Sequence, residues 1–523
     1  MRVSLRVPRR LLLVAALISG QVISIVEPPR SEAVETVRKR RRIRLSDLEP
    51  GLSSSTVLRP AFRSEPELQQ YLDQLERVTA RRIREGEFEH LIYYLLQSRY
   101  FTSLEPIEPA LSARELFGSL APAARELLLN AGDPLPVETD RAQAAELARI
   151  RLPDAVRKRF AAFLTASPRP DPAAMRSAGQ SERWRYFSKL IRTGPLAPAE
   201  LLRTEYLRTM RFLYRKEFLS LQMARDAQAE YISGLYRTRA HSTDTQIEAG
   251  FGVDTALALI RQVEKERRFA RVLIVGPGQD LAPRTGLLDH LAPQSFQPFT
   301  LLDSLRRHGM DDPRGLEVHC IDINPRVIAH LDGLAGRSVR LDLVTGLTTR
   351  LGWRFSEDFQ DYFLHLGRHL GRHPGQHPGQ HPGQLLDPVA EQRTLPLLEG
   401  HLTRQVEVPP ALTKRLTAAR LNIIAERYEP GPVSGQVFDL PFDLVVVTNV
   451  FPYFEVGREL PLAIANLAAM MSADGWLVHN EFSIIGHSVF NVVKLPVRQL
   501  RTLMIANGQN GPLYDGVVIH RKT

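Results

Sequence analysis

The chain has 523 residues, a formal net charge of +10 and one cysteine. Its 43% hydrophobic content is that of a globular chain long enough for more than one domain and excludes an intrinsically disordered one. Cys320 alone excludes an intrachain disulfide and a cysteine-based zinc site, and its apolar surroundings in the sequence read as a packed core thiol.

Arg2, Arg6, Arg9 and Arg10 precede an apolar run from Leu11 to Val26, the layout of a signal-like or anchor segment over residues 1–29. The run is short for a membrane span and no clean cleavage site follows it. Arg38 to Arg44 then form a basic stretch that pulls against translocation. Despite this layout the expectation is a cytoplasmic location, free or anchored with the rest of the chain on the cytoplasmic side, with any membrane contact confined to this segment. Residues 30–60 read as a basic linker.

Residues 61–240 read as a helical domain. Ser64-Glu65-Pro66-Glu67 has the form of a capping box, and Leu68, Tyr71, Leu72, Leu75 and Val78 recur at helical spacing. A second helix is expected from Glu87 to Arg99, and further ones over 114–131, 141–165, 182–192 and 198–236, separated by proline-rich breaks. This region could also serve as a homodimer contact.

From His241 the pattern alternates between strand and helix. A helix over 253–266 leads into a strand at 271–275. A second strand over 316–321 ends at Asp322, and a helix follows over 325–334. Residues 335–415 read as a low-complexity insertion, with a tandem His-Pro-Gly-Gln repeat at 373–384. His373, His377 and His381 lie in Pro-Gly units without fixed geometry, so no metal site is assigned. Strands are expected at Leu421–Ala425, Phe442–Thr448, Gly475–His479 and Gly516–His520, with a helix over 458–471. The alternation predicts an α/β fold with a doubly wound, mostly parallel sheet.

Four apolar residues, Val272 to Val275, run directly into Gly276-Pro277-Gly278. A buried parallel strand ending in glycine allows a sharp turn and close approach to a ligand, which binds outside the strand carboxyl ends in such sheets. A dinucleotide fingerprint needs a third glycine where Leu281 stands and an acidic residue about 20 positions on. Asp322 is much farther along the chain, and no Lys-Ser/Thr pair follows the glycines as a P-loop requires.

Taken together, residues 241–523 resemble the class I S-adenosylmethionine-dependent methyltransferases. Val272 to Gly278 is similar to the family's first motif, and Cys320-Ile-Asp322-Ile-Asn324-Pro325 to its second. Phe442-Asp443-Leu-Val-Val-Val-Thr-Asn449-Val-Phe-Pro-Tyr453 resembles the fourth motif, and Ala473 to Leu477 the turn into strand five. The resemblance implies a seven-stranded sheet, S-adenosyl-L-methionine as cofactor, and cofactor contacts from Gly276, Gly278, Asp322 and Asn449. It implies that Asp322 accepts both ribose hydroxyls and that Glu426 lies near the adenine. It also implies that the segment His241–Thr245 lines the cofactor's carboxylate. Two positions depart from the pattern. Ile274 stands where an acidic residue is common. Asp280 replaces the third glycine, where its carboxylate could pair with the cofactor's ammonium group or cap a helix.

Methyl transfer to an activated electrophile needs alignment first, and a general base if the acceptor is protonated. Tyr453, His479 and Glu481 follow strands four and five and are the candidates. The acceptor is not legible. A small molecule is favoured, because no basic stripe with interleaved aromatics marks a nucleic-acid partner. A methyltransferase-like scaffold without catalysis and an NAD-linked oxidoreductase are the alternatives.

Overall fold

The computed structural model describes residues 40–48, 62–98, 102, 104–130, 149–165, 178–282, 291–371, 398–429, 431–433, 436–438, 441–481, 484–509 and 511–523. The signal-like segment and the His-Pro-Gly-Gln repeat lie outside the described residues. Among those described, no helix is long and apolar enough to cross a membrane.

The N-terminal part contains helices α1 (Glu65–Gln97), α2 (Pro109–Ser119), α3 (Pro122–Asn130), α4 (Asp154–Thr165), α5 (Ala178–Arg192), α6 (Pro198–Tyr214) and α7 (Arg225–Thr238). The capping box of α1 forms with a shift. Ser64 Oγ accepts from the Glu67 N–H at 3.4 Å, while the Glu67 carboxylate accepts from the Arg63 N–H at 2.8 Å. The two helices expected over 64–99 are one, and the glycine between them, Gly86, lies inside it. A Cβ on Gly86 would fall 1.8 Å from the His241 carbonyl oxygen, so glycine here admits a crossing chain rather than a break.

The main sheet has eight strands: β1 (Arg271–Val275), β2 (Glu317–Asp322), β3 (Arg354–Phe355), β4 (Leu416–Arg420), β5 (Phe442–Val447), β6 (Met471–His479), β7 (Val497–Gly508) and β8 (Gly511–Arg521). Their order is β3-β7-β8-β6-β5-β1-β2-β4. The run from β6 to β4 is parallel, and β8, β7 and β3 join antiparallel. The seven expected strands become eight because β3, from the insertion, pairs with the edge of β7. The insertion also holds an antiparallel pair, Val339–Val344 with Thr403–Val408. Within the segment read as a linker, Arg40–Arg42 pairs antiparallel with Glu426–Tyr428.

One expectation in the sheet is corrected. Leu421–Ala425 is a turn, and the strand is the preceding Leu416–Arg420. Leu421, Ile423 and Ile424 are apolar because they pack beneath one face of the sheet, not because they pair.

Alternate residues of each strand enter different cores, as double winding requires. Val272 and Ile274 pack with Phe251, Leu257, Phe299 and Phe359, drawn from helices α8 (Ala249–Val263), α9 (Gln297–Arg307) and α11 (Glu357–His365), where α10 is Pro325–Leu334. Leu273 and Val275 pack on the other face with Leu460 and Ile464 of α12 (Glu459–Met470), and with Leu68, Leu72 and Leu75 of α1. The far half of α1, Leu91 to Leu96, belongs to a third core with Phe117, Phe160, Phe187 and Tyr206, which Leu281 and Ala282 also enter.

Candidate functional site

The chain path reverses between β1 and β5, which are neighbours in the sheet. The carboxyl ends of strands flanking such a reversal splay apart and leave a crevice. Here a cavity of about 610 Å³ opens at that point, within the usual range for small-molecule sites. Its walls include Gly276, Gly278 and Asp280 after β1, Asp322 and Asn324 at the end of β2, and Thr448, Asn449 and Val450 after β5.

Gly276 and Gly278 have φ of +67° and +69°, a region that costs other residues roughly 1–2 kcal/mol. Space demands glycine as well. A Cβ on Gly276 would lie 2.6 Å from Val450 Cγ2, and one on Gly278 2.8 Å from the Thr243 carbonyl oxygen. The second glycine therefore serves the chain crossing over it. The Gln279 N–H donates to that same carbonyl at 2.6 Å. All of His241–Thr245 lines the cavity, and α1 holds this segment in place. The His241 N–H donates to the Arg82 carbonyl at 3.0 Å, and the buried His90 ring lies 3.4 Å from Asp244 Oδ1.

Asp322 ends β2 with its carboxylate in the cavity, where Oδ1 accepts the Asn324 N–H at 2.8 Å. Burial pushes its pKa up to about 6, against the opposing hydrogen bonds from the Asn324, Gly278 and Ile323 amides. Asp280 is 3% exposed. Its Oδ1 has no hydrogen-bond partner and lies 3.9 Å from the Arg183 guanidinium, too far for a bond. Burial holds this carboxyl well above the usual range, and nearby Asp244 adds to the effect. The chain beyond Asp280 runs through Leu281 into the helical core, and α9 begins at Gln297.

Asn449 adopts φ +58° and exchanges hydrogen bonds with Asn480, N–H to Oδ1 at 3.0 Å and Nδ2 to Oδ1 at 2.7 Å. Tyr453 reaches the cavity, and burial raises its hydroxyl pKa, so it stays protonated.

Three expected site residues lie elsewhere. Glu426 sits on a strand opposite Arg42 and does not line the cavity; Asn422, four residues earlier, does. Its displacement follows from the turn at 421–425. Glu481 is also absent from the lining, although its N–H donates to His479 Nδ1 at 3.0 Å. His479 is buried away from the cavity. Because Nδ1 accepts, Nε2 carries the proton and donates to His520 Nε2 at 2.7 Å, and His520 Nδ1 donates to the Leu495 carbonyl at 2.7 Å. Both rings are neutral links in a buried chain. His479→Ala is therefore expected to lower stability by about 1–3 kcal/mol, by removing the buried hydrogen bond to His520 Nε2. Ligand affinity should be unchanged; thermal unfolding beside calorimetry checks both halves.

The helical region supplies lining that the sequence did not suggest: Leu75, Thr79, Arg82, Tyr236 and Arg239. Arg82 Nε and Nη2 donate to the Arg239 and Tyr236 carbonyls at 2.8 and 3.2 Å. Tyr236 meets Tyr453 edge-on at 5.7 Å, and His241 lies 5.4 Å from Tyr453. Burial keeps the His241 pKa well below the ordinary value, and Arg82 reinforces this, so the imidazole is neutral. Among the described residues no group of three or more His, Cys, Asp or Glu side chains could hold a metal ion.

No family model and no curated protein matches the chain. Solved structures that it matches include the N-methyltransferase NodS from Bradyrhizobium japonicum in complex with S-adenosyl-L-homocysteine, at 12% identity over 52% of this chain and 87% of that one, TM-score 0.23. A TehB-like SAM-dependent methyltransferase from Corynebacterium glutamicum matches at 13% identity over 51% and 87%, TM-score 0.22. Magnesium protoporphyrin IX methyltransferase from Synechocystis, with bound SAM, matches at 10% identity over 59% and 94%, TM-score 0.24. Identities and scores this low do not bear on activity or substrate.

Proposed function

We propose that the chain binds S-adenosylmethionine at the carboxyl ends of β1, β2 and β5 and transfers its methyl group to a small-molecule acceptor. The observation that carries this reading is the placement of Asp322 beside two positive-φ glycines at the sheet's reversal point, in a cavity large enough for a nucleoside and a second molecule. The donor set fits. A carboxylate at Asp322 can accept two hydroxyls of a ribose, while Asn422, Ile323 and Leu421 offer an amide and an apolar wall to a base. Asp280, 3.9 Å from the Arg183 guanidinium, presents a buried oxygen without a hydrogen bond, to which an ammonium group could donate.

The bound cofactor supplies a methyl group already activated on a sulfonium. The chain's own contribution is alignment, worth up to roughly 7–11 kcal/mol of barrier in favourable cases. Any proton that the acceptor carries would pass to His241, which lines the cavity, or to water. Tyr453 does not serve as base because it holds its proton. His241, neutral and inside the cavity, takes the role the sequence offered to His479 and Glu481.

An NAD-linked reading has less support, since Leu281, at the position of the dinucleotide fingerprint's third glycine, is a buried side chain of the helical core. Calorimetry on the full chain tests all readings. S-adenosylhomocysteine is expected to bind with submillimolar affinity and NAD not at all. Heat from NAD alone would overturn the proposal, and heat from neither would leave a scaffold.

A further inference from the structure

The charges lining the cavity are sorted by origin. Asp244, Glu248, Asp280, Asp322, Glu459 and Asp515 come from the segments around the strand ends, α8 and α12, whereas Arg82, Lys216 and Arg239 all come from the helical region. The first group suits a ligand carrying a sulfonium and an ammonium. The second brings more positive charge than the cofactor's single carboxylate, assigned above to the His241–Thr245 segment, can use.

Among these cations Arg239 is committed, since its Nε donates to Glu89 at 3.1 Å inside the helical core. Arg82 is not neutralised in this way. Its two bonds go to uncharged carbonyls, and it lies 5.8 Å over the Tyr453 ring. Lys216 places its ammonium 5.6 Å over the Tyr236 ring. The acid that acts on Arg82 from a distance, Glu459, also accepts from the Tyr71 hydroxyl at 3.3 Å and from the Glu455 N–H at 2.8 Å. A buried guanidinium bonded to carbonyls alone gains most when an anion arrives. Tyr236, Tyr453 and His241 form an aromatic corner beside it, the geometry that receives a planar ring.

We infer that the acceptor is a planar, conjugated carboxylic acid, its ring held in the Tyr236–Tyr453 corner and its carboxylate at Arg82 and Lys216. This rests on the methyl-transfer reading of the same cavity. The helical region then sets acceptor specificity, while the strand ends hold the cofactor.

The test uses the full chain saturated with S-adenosylhomocysteine, titrated with protocatechuate, caffeate and anthranilate and with the carboxamide of each. At least one acid is expected to bind roughly tenfold or more tightly than its amide. Lys216→Met and Arg82→Gln should each remove most of that preference while S-adenosylhomocysteine still binds, which also shows that the variants fold. Lys216 is part-exposed and bears the test if the buried Arg82 does not tolerate change. Equal binding of acid and amide, or of neither, by a chain that binds S-adenosylhomocysteine overturns the acid claim and leaves the cofactor reading standing. Failure of S-adenosylhomocysteine to bind overturns both.

Discussion

Asp322→Ala is expected to abolish S-adenosylhomocysteine binding to within the reach of calorimetry, a loss above a hundredfold. Hydrogen bonds to a charged acceptor contribute roughly 1.5–3 kcal/mol each, and the proposed contact has two. The residue also has a cost. Its carboxyl is pushed up to about 6 by burial, so the folded chain binds this proton more readily than the unfolded one. The stability linked to protonation is complete below the ordinary carboxylate value and is lost as pH rises through about 6. At neutral pH the ionised group therefore destabilises the unliganded fold, by an amount on the order of 3 kcal/mol. Asp322→Asn should raise the Tm of the unliganded chain at neutral pH while still weakening the cofactor. Cofactor affinity in the native chain should fall as pH drops below 6. A variant that binds S-adenosylhomocysteine as the native chain does would remove Asp322 from the site.

Gly86→Ala is expected to be the most disruptive small change in the helical region. On helix propensity alone it would stabilise by up to about 1 kcal/mol. The added carbon, however, would meet the His241 carbonyl carbon at 2.9 Å as well as its oxygen, and both belong to backbone that cannot rotate away. Either α1 or the His241–Thr245 segment must move. We expect roughly 3 kcal/mol of lost stability and a fall in S-adenosylhomocysteine affinity, since this segment lines the cavity. A higher Tm with intact binding would show that the crossing is looser than described.

Much of the site was legible because its parts are local. Val272 to Val275 is a run without a polar residue, so burial on both faces could be read directly, and the glycines mark its end. Asp322 was legible for the same reason, standing where an apolar strand stops. Leu421–Ala425 misled because apolar character signals burial, not pairing, and its strand neighbour Leu-Thr-Ala-Ala-Arg lies at the sheet edge with mixed exposure. The assignment of Glu426 went with it. β7 was missed because Val497, Leu500 and Leu503 recur at every third position, without the alternation that marks a strand, and the strand is exposed along much of its length. His479 looked like a base at a strand end. The partner that occupies it, His520, is on a strand that pairs with β6 in space and follows it by 41 positions. Arg82, Lys216 and Tyr236 had no local mark at all. Their place in the cavity depends on α1, the helical turn Arg215–Leu219 after α6, and α7 folding back over the sheet.

α1 has 33 residues and spans roughly 50 Å, with one end in the sheet's core and the other among the helices. A rod anchored at both ends makes the two cores mechanically one. A cut before residue 241 would strip Leu68, Leu72 and Leu75 from beneath β1, and would take away the backbone carbonyl of Arg82 that holds His241. The half of the chain carrying the glycines and Asp322 thus depends for its shape on the half that carries none of the recognisable motifs.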